Sequence, residues 1–502
     1  MVLRIFPSIR QYESHRQLIA SVRAGAGRSG RVGLDAIIVP ASRQSNNLDH
    51  AVTLARAARC RLVVFCSRDT RVAEVEQLLA DRCFSQAVVV GLPLGYRHEL
   101  LRFESSDLAY AELSELCVNP NGDLSTKRNL GLLLARMVGW KRIFFMDDDV
   151  RDIGPDDLAA TVSLLSRYRS VGMRVIDMPD NSVVCHAHRA IGADQDVFVS
   201  GSVLAVSPQE PMGFFPEIYN EDWFFFHDDA KEQRLGWSGR NATQLRYDPF
   251  ENPQRAERQE FGDILAEGLY ALLHLGEEKT AATLDFWENF LRARRSFLGN
   301  ILGNSNQVAL DIRDKMIYAV RTAMRSLEQV APSMCEQYIQ AWGRDLRTWT
   351  DVLASLPVNL PVESALERLG LSAKDWSPEC QSSVGEASVR RNGVAGPASI
   401  PRVATANLLQ GRGNGGSRAR LRRSRVFTQA GRQFFASAVR RELVAPGARG
   451  DARPMSLTST ALCAGAFDPV LELFHSAGDP HPPAFAEAGA VISPENQPQG
   501  AD

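Results

Sequence analysis

Three adjacent carboxylates, Asp147, Asp148 and Asp149, follow directly after four apolar residues at positions 143–146. Such an apolar run predicts a short strand buried in the middle of a mostly parallel sheet, and sheets of this kind bind ligands at the carboxyl ends of their strands. Because adjacent acids repel one another, a divalent cation that takes carboxylate oxygens and substrate phosphates is the usual partner. The pattern favours a metal-phosphate site over its alternative, a solvated acidic turn that caps the next helix.

Two cations precede this strand in the chain. Ser125 or Thr126 is a typical N-cap for a helix over residues 127–138, which places Lys127 and Arg128 in its first turn. The helix dipole disfavours cations there unless an anion is also present. A bound phosphate would remove the conflict, since helix amino termini bind anions. The alternative is that both side chains extend into solvent.

A third group of candidates lies in the aromatic-rich segment 213–229. Glu221 and Asp222 stand between aromatic residues, and partial burial raises the pKa of a carboxylate, which suits a general base. The alternative is an acidic N-cap before an aromatic core helix. His227 could ligate a metal, although a histidine beside aromatic residues also fits a packed, hydrogen-bonded position.

The elements that must position these residues alternate between strand and helix patterns. Strands are predicted at 35–40, 61–66 and 86–91, with helices at 48–58 and 72–79. This alternation predicts βαβ units, a parallel sheet and helices on both faces. Residues 197–206 predict a strand pair or a bent strand, and Gly201 and Ser202 at its centre permit close approach of a ligand.

Composition describes an ordinary soluble chain. Of 502 residues, 44% are hydrophobic and 23% charged, and the formal net charge of −2 disfavours nucleic acid as a partner. Eight cysteines include no CxxC pair, which argues against a disulfide framework or a zinc cluster and suits a reducing compartment. No apolar run approaches the ~20 residues of a transmembrane segment. We therefore expect a cytoplasmic protein.

Four regions are predicted: an N-terminal extension (1–32), an α/β domain (33–254), a helical region (255–375) and a tail (376–502). Helical spacing recurs at 260–275, 280–297, 307–327 and 332–356. The tail is rich in Gly, Pro and Ala and carries an arginine cluster at 418–425, which predicts low order. The cluster could contact nucleic acid or anionic lipid, but a solvated basic tail is the favoured interpretation.

The order of these motifs resembles that of GT-A-type, family-2-like glycosyltransferases over about residues 33–265. The resemblance is carried by the strand ending at Pro40 and by residues 127–131, 145–149, 201–202, 213–217 and 220–222. It implies a GT-A-like sheet and transfer of a sugar from a nucleoside diphosphate donor, UDP- or GDP-linked, to an acceptor hydroxyl that the sequence does not identify.

The resemblance also implies roles for single residues. Asp149 would ligate Mg²⁺ or Mn²⁺, with Asp147 as a second ligand that also faces the sugar or ribose. His227, which the resemblance does not include, is the third candidate metal ligand. The metal would stabilise the leaving diphosphate as a Lewis acid. Arg128 would act on the same phosphates as a charge clamp, together with Lys127.

The remaining carried-over roles concern the donor and the acceptor. Asp222, beside Glu221, would be the general base that deprotonates the acceptor. Other residues would line the nucleotide or lie beneath the donor sugar; these are Pro40, Ser42, Asp69, Asp148, Gly201 and Ser202. Two departures from the family pattern stand out. The second strand ends in Cys-Ser-Arg-Asp at 66–69, and no QxxRW motif follows the acid pair, which disfavours a processive synthase.

Three other interpretations stay open. Asp147 at the end of an apolar strand also fits the nucleophile of a haloacid-dehalogenase-type phosphatase, although three βα units precede it here. A nucleotidyltransferase would carry a glycine-rich segment after its first strand, where residues 40–43 read Pro-Ala-Ser-Arg. The chain could also be a non-catalytic sugar-nucleotide-binding protein.

Overall fold

The computed structural model describes residues 9–21, 33–111, 113, 116, 122–178, 181–194, 199–372 and 374–376. Apart from Trp376, the tail predicted from residue 376 onward lies outside these residues. In the described part of the chain, no helix has the length and apolar character to cross a membrane.

Ten strands of the described residues form one sheet. They are β1 Ala20–Ser21, β2 Ala36–Ala41, β3 Arg61–Cys66, β4 Ala87–Gly91, β5 Ile143–Met146, β6 Val150–Arg151, β7 Ser170–Ile176, β8 Val203–Val206, β9 Leu235–Gln244 and β10 Lys374–Trp376. The order is β1-β9-β7-β8-β5-β2-β3-β4-β10, with β6 paired to β9. β5, β2, β3 and β4 run parallel, whereas β8 is antiparallel to both β5 and β7.

Helices cover both faces of this sheet. They are α1 Asp49–Ala58, α2 Val72–Asp81, α3 Glu104–Ala111, α4 Leu124–Val138, α5 Pro155–Ser163, α6 Val183–Ala190, α7 Glu221–Lys231, α8 Gln254–His274, α9 Leu284–Gly303, α10 Leu310–Gln329, α11 Pro332–Ser355 and α12 Val362–Arg368. Successive strand residues point to opposite faces, so Phe144 belongs to the apolar cluster that includes α1, α2 and α5, and Phe145 belongs to the cluster that includes α4 and the later helices.

The predicted fold class is confirmed: the chain is α/β, with a mostly parallel sheet flanked by helices and a helical region after it. Strands predicted at 61–66 and 143–146 have those bounds in the structure. The segment predicted at 197–206 contains β8, and residues 195–198 lie outside the described part. The pattern missed β7 and β9, whose residues mix glycine and polar side chains with apolar ones. The division of the chain into regions stays a prediction.

Candidate active site

The amino end of α4 lies close beneath the sheet because Gly131 has no side chain. A Cβ at this position would lie 3.0 Å from the Phe145 ring and 3.1 Å from the Ile38 side chain. This close packing brings the first turn of α4 to the carboxyl ends of β2 and β5. Lys127 and Arg128 are therefore buried, with 1% and 2% of their surfaces exposed.

Lys127 connects two strand ends. Its Nζ donates to the Ala41 carbonyl oxygen at 2.7 Å and to Ser67 Oγ at 2.6 Å, and it lies 3.2 Å from Asp123 Oδ1. Burial lowers the pKa of Lys127, while Asp123 opposes this shift. The ammonium group thus ties the end of β2 to the end of β3.

Arg128 connects the acidic residues of two elements. Its Nη2 donates to both carboxylate oxygens of Asp147, at 3.0 and 3.1 Å, and its Nη1 donates to Glu221 Oε1 at 2.5 Å. The guanidinium carbon lies 5.4 Å from the centre of the Phe215 ring. Burial by itself would lower the pKa of Arg128, but Asp147 and Glu221 raise it, so the group stays charged.

Asp148 is bonded to the loop that follows β2. Its Oδ2 accepts the backbone N–H groups of Ser42 at 2.7 Å and Arg43 at 2.8 Å, and its Oδ1 accepts the Arg43 side chain. Asp148 is predicted to line the nucleotide, and in the structure both of its carboxylate oxygens hold this loop in place.

Asp149 keeps one oxygen without a hydrogen-bond partner. Its Oδ2 lies 2.9 Å from Arg43 Nη2 and accepts Gln244 Nε2 at 3.2 Å, whereas Oδ1 is buried and unpaired among the described residues. The residue is only 5% exposed. Burial raises the pKa of the Asp149 carboxyl to about 6, although Arg43 opposes the shift. An unpaired buried carboxylate oxygen is costly unless a ligand satisfies it.

The predicted acid pair begins α7. Asn220 precedes it in the left-handed region, with φ of +64°. Asp222 Oδ2 accepts the Gly201 N–H at 2.7 Å, and Oδ1 accepts the Trp223 N–H at 2.9 Å, which fixes the orientation of this carboxylate. Burial raises the pKa of Glu221, although its ion pair with Arg128 lowers it.

Two cavities meet at the acidic residues. The strand-end cavity, of about 240 Å³, is lined by Pro40, Ser42, Arg43, Arg68, Asp69, Asp123, Leu124, Lys127, Asp147 and Asp148. The helix-end cavity, of about 120 Å³, is lined by Arg43, Leu124, Arg128, Asp147, Asp149, Val199, Ser200, Tyr219, Asn220, Glu221, Asp222, Trp223, Gln244 and Arg255. Arg43, Leu124 and Asp147 line both. Two larger cavities, of about 460 and 390 Å³, contain none of the three adjacent acids.

Gly201 and Ser202 lie directly beside these groups. A Cβ at Gly201 would lie 2.9 Å from Arg128 Nη1 and 2.9 Å from the Asp222 Cβ, so glycine leaves the space that the arginine occupies. The carbonyl oxygen of Ser202 accepts the Asp147 N–H at 3.0 Å.

The structure does not bring His227 to this place. Its ring packs edge-on against Tyr270 and Trp342 in the core, and its Nδ1 lies 2.9 Å from Asp228 Oδ1. It lines neither the strand-end nor the helix-end cavity. Its assignment as a metal ligand therefore has no support in the geometry.

Arg43 and Gln244 were missed by sequence reasoning, although both contact the acids. A signal for Arg43 existed: three adjacent carboxylates need neutralising charge, and Arg43 lies three residues after the end of a predicted strand of the same parallel sheet. Gln244 comes from β9, which carried no recognisable strand pattern. The sequence also held no sign that Asn129 bonds the backbone of Phe215 through both amide atoms, at 2.8 Å each.

The donor atoms present suit a divalent cation only in part. Among the described residues, no group of three or more His, Cys, Asp or Glu side chains surrounds a common metal position. The unpaired Asp149 Oδ1 is an oxygen of the kind that binds such a cation. Asp147, two residues earlier in the chain, also lines the helix-end cavity. Mg²⁺ commonly binds through one or two carboxylates and completes its shell with substrate phosphates and water. Asp149 and Asp147 fit that mode.

No protein-family model matches this chain, and no curated protein sequence matches it. Fourteen chains among the solved structures match. One of them is the mannosyltransferase PcManGT from Pyrobaculum calidifontis in complex with GDP-Man and Mn²⁺, which is 13% identical, with a TM-score of 0.35, over 68% of this chain and 89% of that chain. A likeness at this TM-score supports no statement about activity.

Proposed function

We propose that the protein is a glycosyltransferase that moves a sugar from a UDP- or GDP-linked donor to an acceptor hydroxyl. The observation that carries this proposal is the junction at Asp147. This carboxylate lines both cavities and is held by the buried guanidinium of Arg128, which also holds Glu221. Transfer chemistry needs such a place, where two substrates meet beside a fixed positive charge.

The donor would occupy the strand-end cavity. Pro40, Ser42 and Asp69 would face the nucleotide, and Arg43 and Arg68 add positive charge for its diphosphate. Asp149 and Asp147 would hold Mg²⁺ or Mn²⁺, whose contribution there is Lewis-acid stabilisation of the leaving diphosphate. The sugar would then lie at the junction, above Gly201 and Ser202.

The acceptor would enter from the helix-end cavity. Asp222 is held by two backbone N–H groups and can still accept a proton, because a carboxylate has about four lone-pair positions. As the acceptor oxygen bonds to the anomeric carbon, its proton passes to Asp222, and the bond between that carbon and the phosphate oxygen breaks. The nucleoside diphosphate leaves with the bonding electron pair.

The phosphatase alternative is less well supported. A nucleophilic Asp147 would have to attack phosphorus, whereas the buried guanidinium of Arg128 donates to both of its oxygens and so weakens them as nucleophiles. A non-catalytic binding protein would share the same cavities, and measurement of turnover distinguishes it from a transferase.

The test uses the full chain and a panel of radiolabelled UDP- and GDP-sugars with Mn²⁺, offered with mixed hydroxyl acceptors. We expect release of nucleoside diphosphate coupled to label transfer, which Asp222→Asn abolishes and Asp156→Asn, at an exposed position on α5, leaves intact. Tight donor binding without turnover would indicate a binding protein. Hydrolysis of a phosphomonoester that Asp147→Asn abolishes would support the phosphatase instead.

A further inference from the structure

Arg43 holds a position that the proposed transfer does not explain. Its Nη2 lies 2.9 Å from Asp149 Oδ2, its Nη1 binds Asp148 Oδ1, and it lines both cavities. Half of its side chain is exposed, whereas the Arg128 side chain is only 3% exposed. Both carboxylates are buried, so they need a cation, but the half-exposed guanidinium can leave them when another cation takes its place.

We infer that Arg43 is an internal counterion, which neutralises Asp149 while no divalent cation is bound. When metal and diphosphate bind together, Arg43 leaves Asp149 and the metal takes its place. This role rests on the proposed function of the same cavities. A cation on Asp149 Oδ1 would share one carboxylate with the guanidinium on Oδ2, and two such cations repel each other strongly in a partly buried site. Arg128 is buried and is also held by Glu221, so the half-exposed Arg43 is the cation that moves when metal binds.

A diphosphate supplies the alternative partner. Arg43 already lines the strand-end cavity beside Ser42 and Arg68, where the phosphates would lie, and arginine binds phosphate oxygens well. The loop itself need not move, because two backbone N–H groups continue to hold it on Asp148. Metal and nucleotide then each favour binding of the other, since each removes Arg43 from Asp149 or gives it a new partner.

The experiment measures Mn²⁺ affinity of the full chain from the electron paramagnetic resonance signal of free Mn²⁺, without nucleotide and with UDP or GDP. Without nucleotide, we expect Arg43→Gln to bind Mn²⁺ about tenfold more tightly than the wild type. The increase in Mn²⁺ affinity that nucleotide causes should be about tenfold smaller in Arg43→Gln than in the wild type. Arg43→Lys keeps the charge and should stay close to the wild type. Adding Asp149→Asn to Arg43→Gln should abolish the gain in Mn²⁺ affinity.

Arg82→Gln is the matched control, because Arg82 is 49% exposed and pairs with Asp49 outside both cavities. It should leave Mn²⁺ affinity unchanged. A folded Arg43→Gln protein, verified by its thermal unfolding, that binds Mn²⁺ no better than the wild type overturns the counterion role. If its affinity rises while no nucleotide sugar is turned over, the counterion role stands and the transfer proposal alone fails.

Discussion

Arg128 and Asp147 lie side by side, with one guanidinium nitrogen, Nη2, donating to both carboxylate oxygens at 3.0 and 3.1 Å. The other terminal nitrogen binds Glu221. One buried cation therefore fixes a carboxylate at the end of β5 relative to a carboxylate at the start of α7. A planar group with several donors can do this, whereas a lysine ammonium offers a single point of charge.

We expect Arg128→Lys to lower kcat/KM for sugar transfer by about 100-fold, which corresponds to about 3 kcal/mol of transition-state stabilisation. Lysine keeps the positive charge but cannot hold both acids in their relative positions. Steady-state kinetics on the donor identified by the panel would measure the loss. Arg136→Lys, on the same helix but bonded to the Gln209 carbonyl oxygen, is the control. Equal losses in both variants would contradict a specific role.

Two glycines should respond to alanine in opposite directions. Gly201→Ala places a Cβ 2.9 Å from Arg128 Nη1, and we expect overpacking to lower the free energy of unfolding by about 1–3 kcal/mol. Gly343 lies inside α11, and a Cβ added there would meet nothing within 4 Å beyond its chain neighbours and the helix's own backbone, so alanine should raise the free energy of unfolding by about 0.5–1 kcal/mol. Urea unfolding measures both, and a shift of the same sign in the two variants would refute this account.

Asn220 should position the acid pair through a buried network. Its Nδ2 donates to Asp263 Oδ1 at 2.7 Å, and Asp263 Oδ2 accepts Arg294 at 3.1 Å. Asn220→Gly preserves the left-handed backbone but removes the hydrogen bond, so we expect kcat to fall about tenfold with little change in KM. Asn220→Ala should additionally cost about 1 kcal/mol or more of stability because φ is +64°. Full kcat in Asn220→Gly would show that the bond does not position the acids.

His186 on α6 should make stability depend on pH. Burial, with Arg189 and Arg255 nearby, lowers the pKa of His186 to about 4, and its Nε2 is buried without a partner among the described residues. In the unfolded chain a histidine has a pKa of about 6.5. Between these values the unfolded state binds the extra proton, so the folded state loses stability as pH falls from about 6.5 to about 4.

The test compares the wild type with His186→Phe, which cannot titrate and can retain the edge-on contact with Tyr247. From about pH 7 to about pH 4.5, the wild type should lose roughly 2 kcal/mol more unfolding free energy than the variant. Urea unfolding at both pH values measures the difference. Parallel losses in the two proteins would show that another group causes the acid sensitivity.

Strands with long apolar runs were predictable, and polar strands were not. β3 and β5 consist almost entirely of apolar residues because helices cover both of their faces. β9 contains Gly236, Gly239 and several polar residues, and its extended conformation is stabilised by pairing with β7 and β1. Strand propensity depends on such neighbours, which no local pattern specifies.

The sequence by itself determined that three carboxylates stand at the end of a buried strand. It also determined that positive charge must accompany them, because adjacent like charges at a partly buried strand end repel one another. Only the tertiary structure decided which cation serves which acid: Arg128 holds Asp147, and Arg43 bridges Asp148 and Asp149. Arg43 is more than 100 positions distant in the chain from its two partners. It meets them because β2 and β5 are neighbours in the sheet, and that adjacency arises from packing of the whole domain.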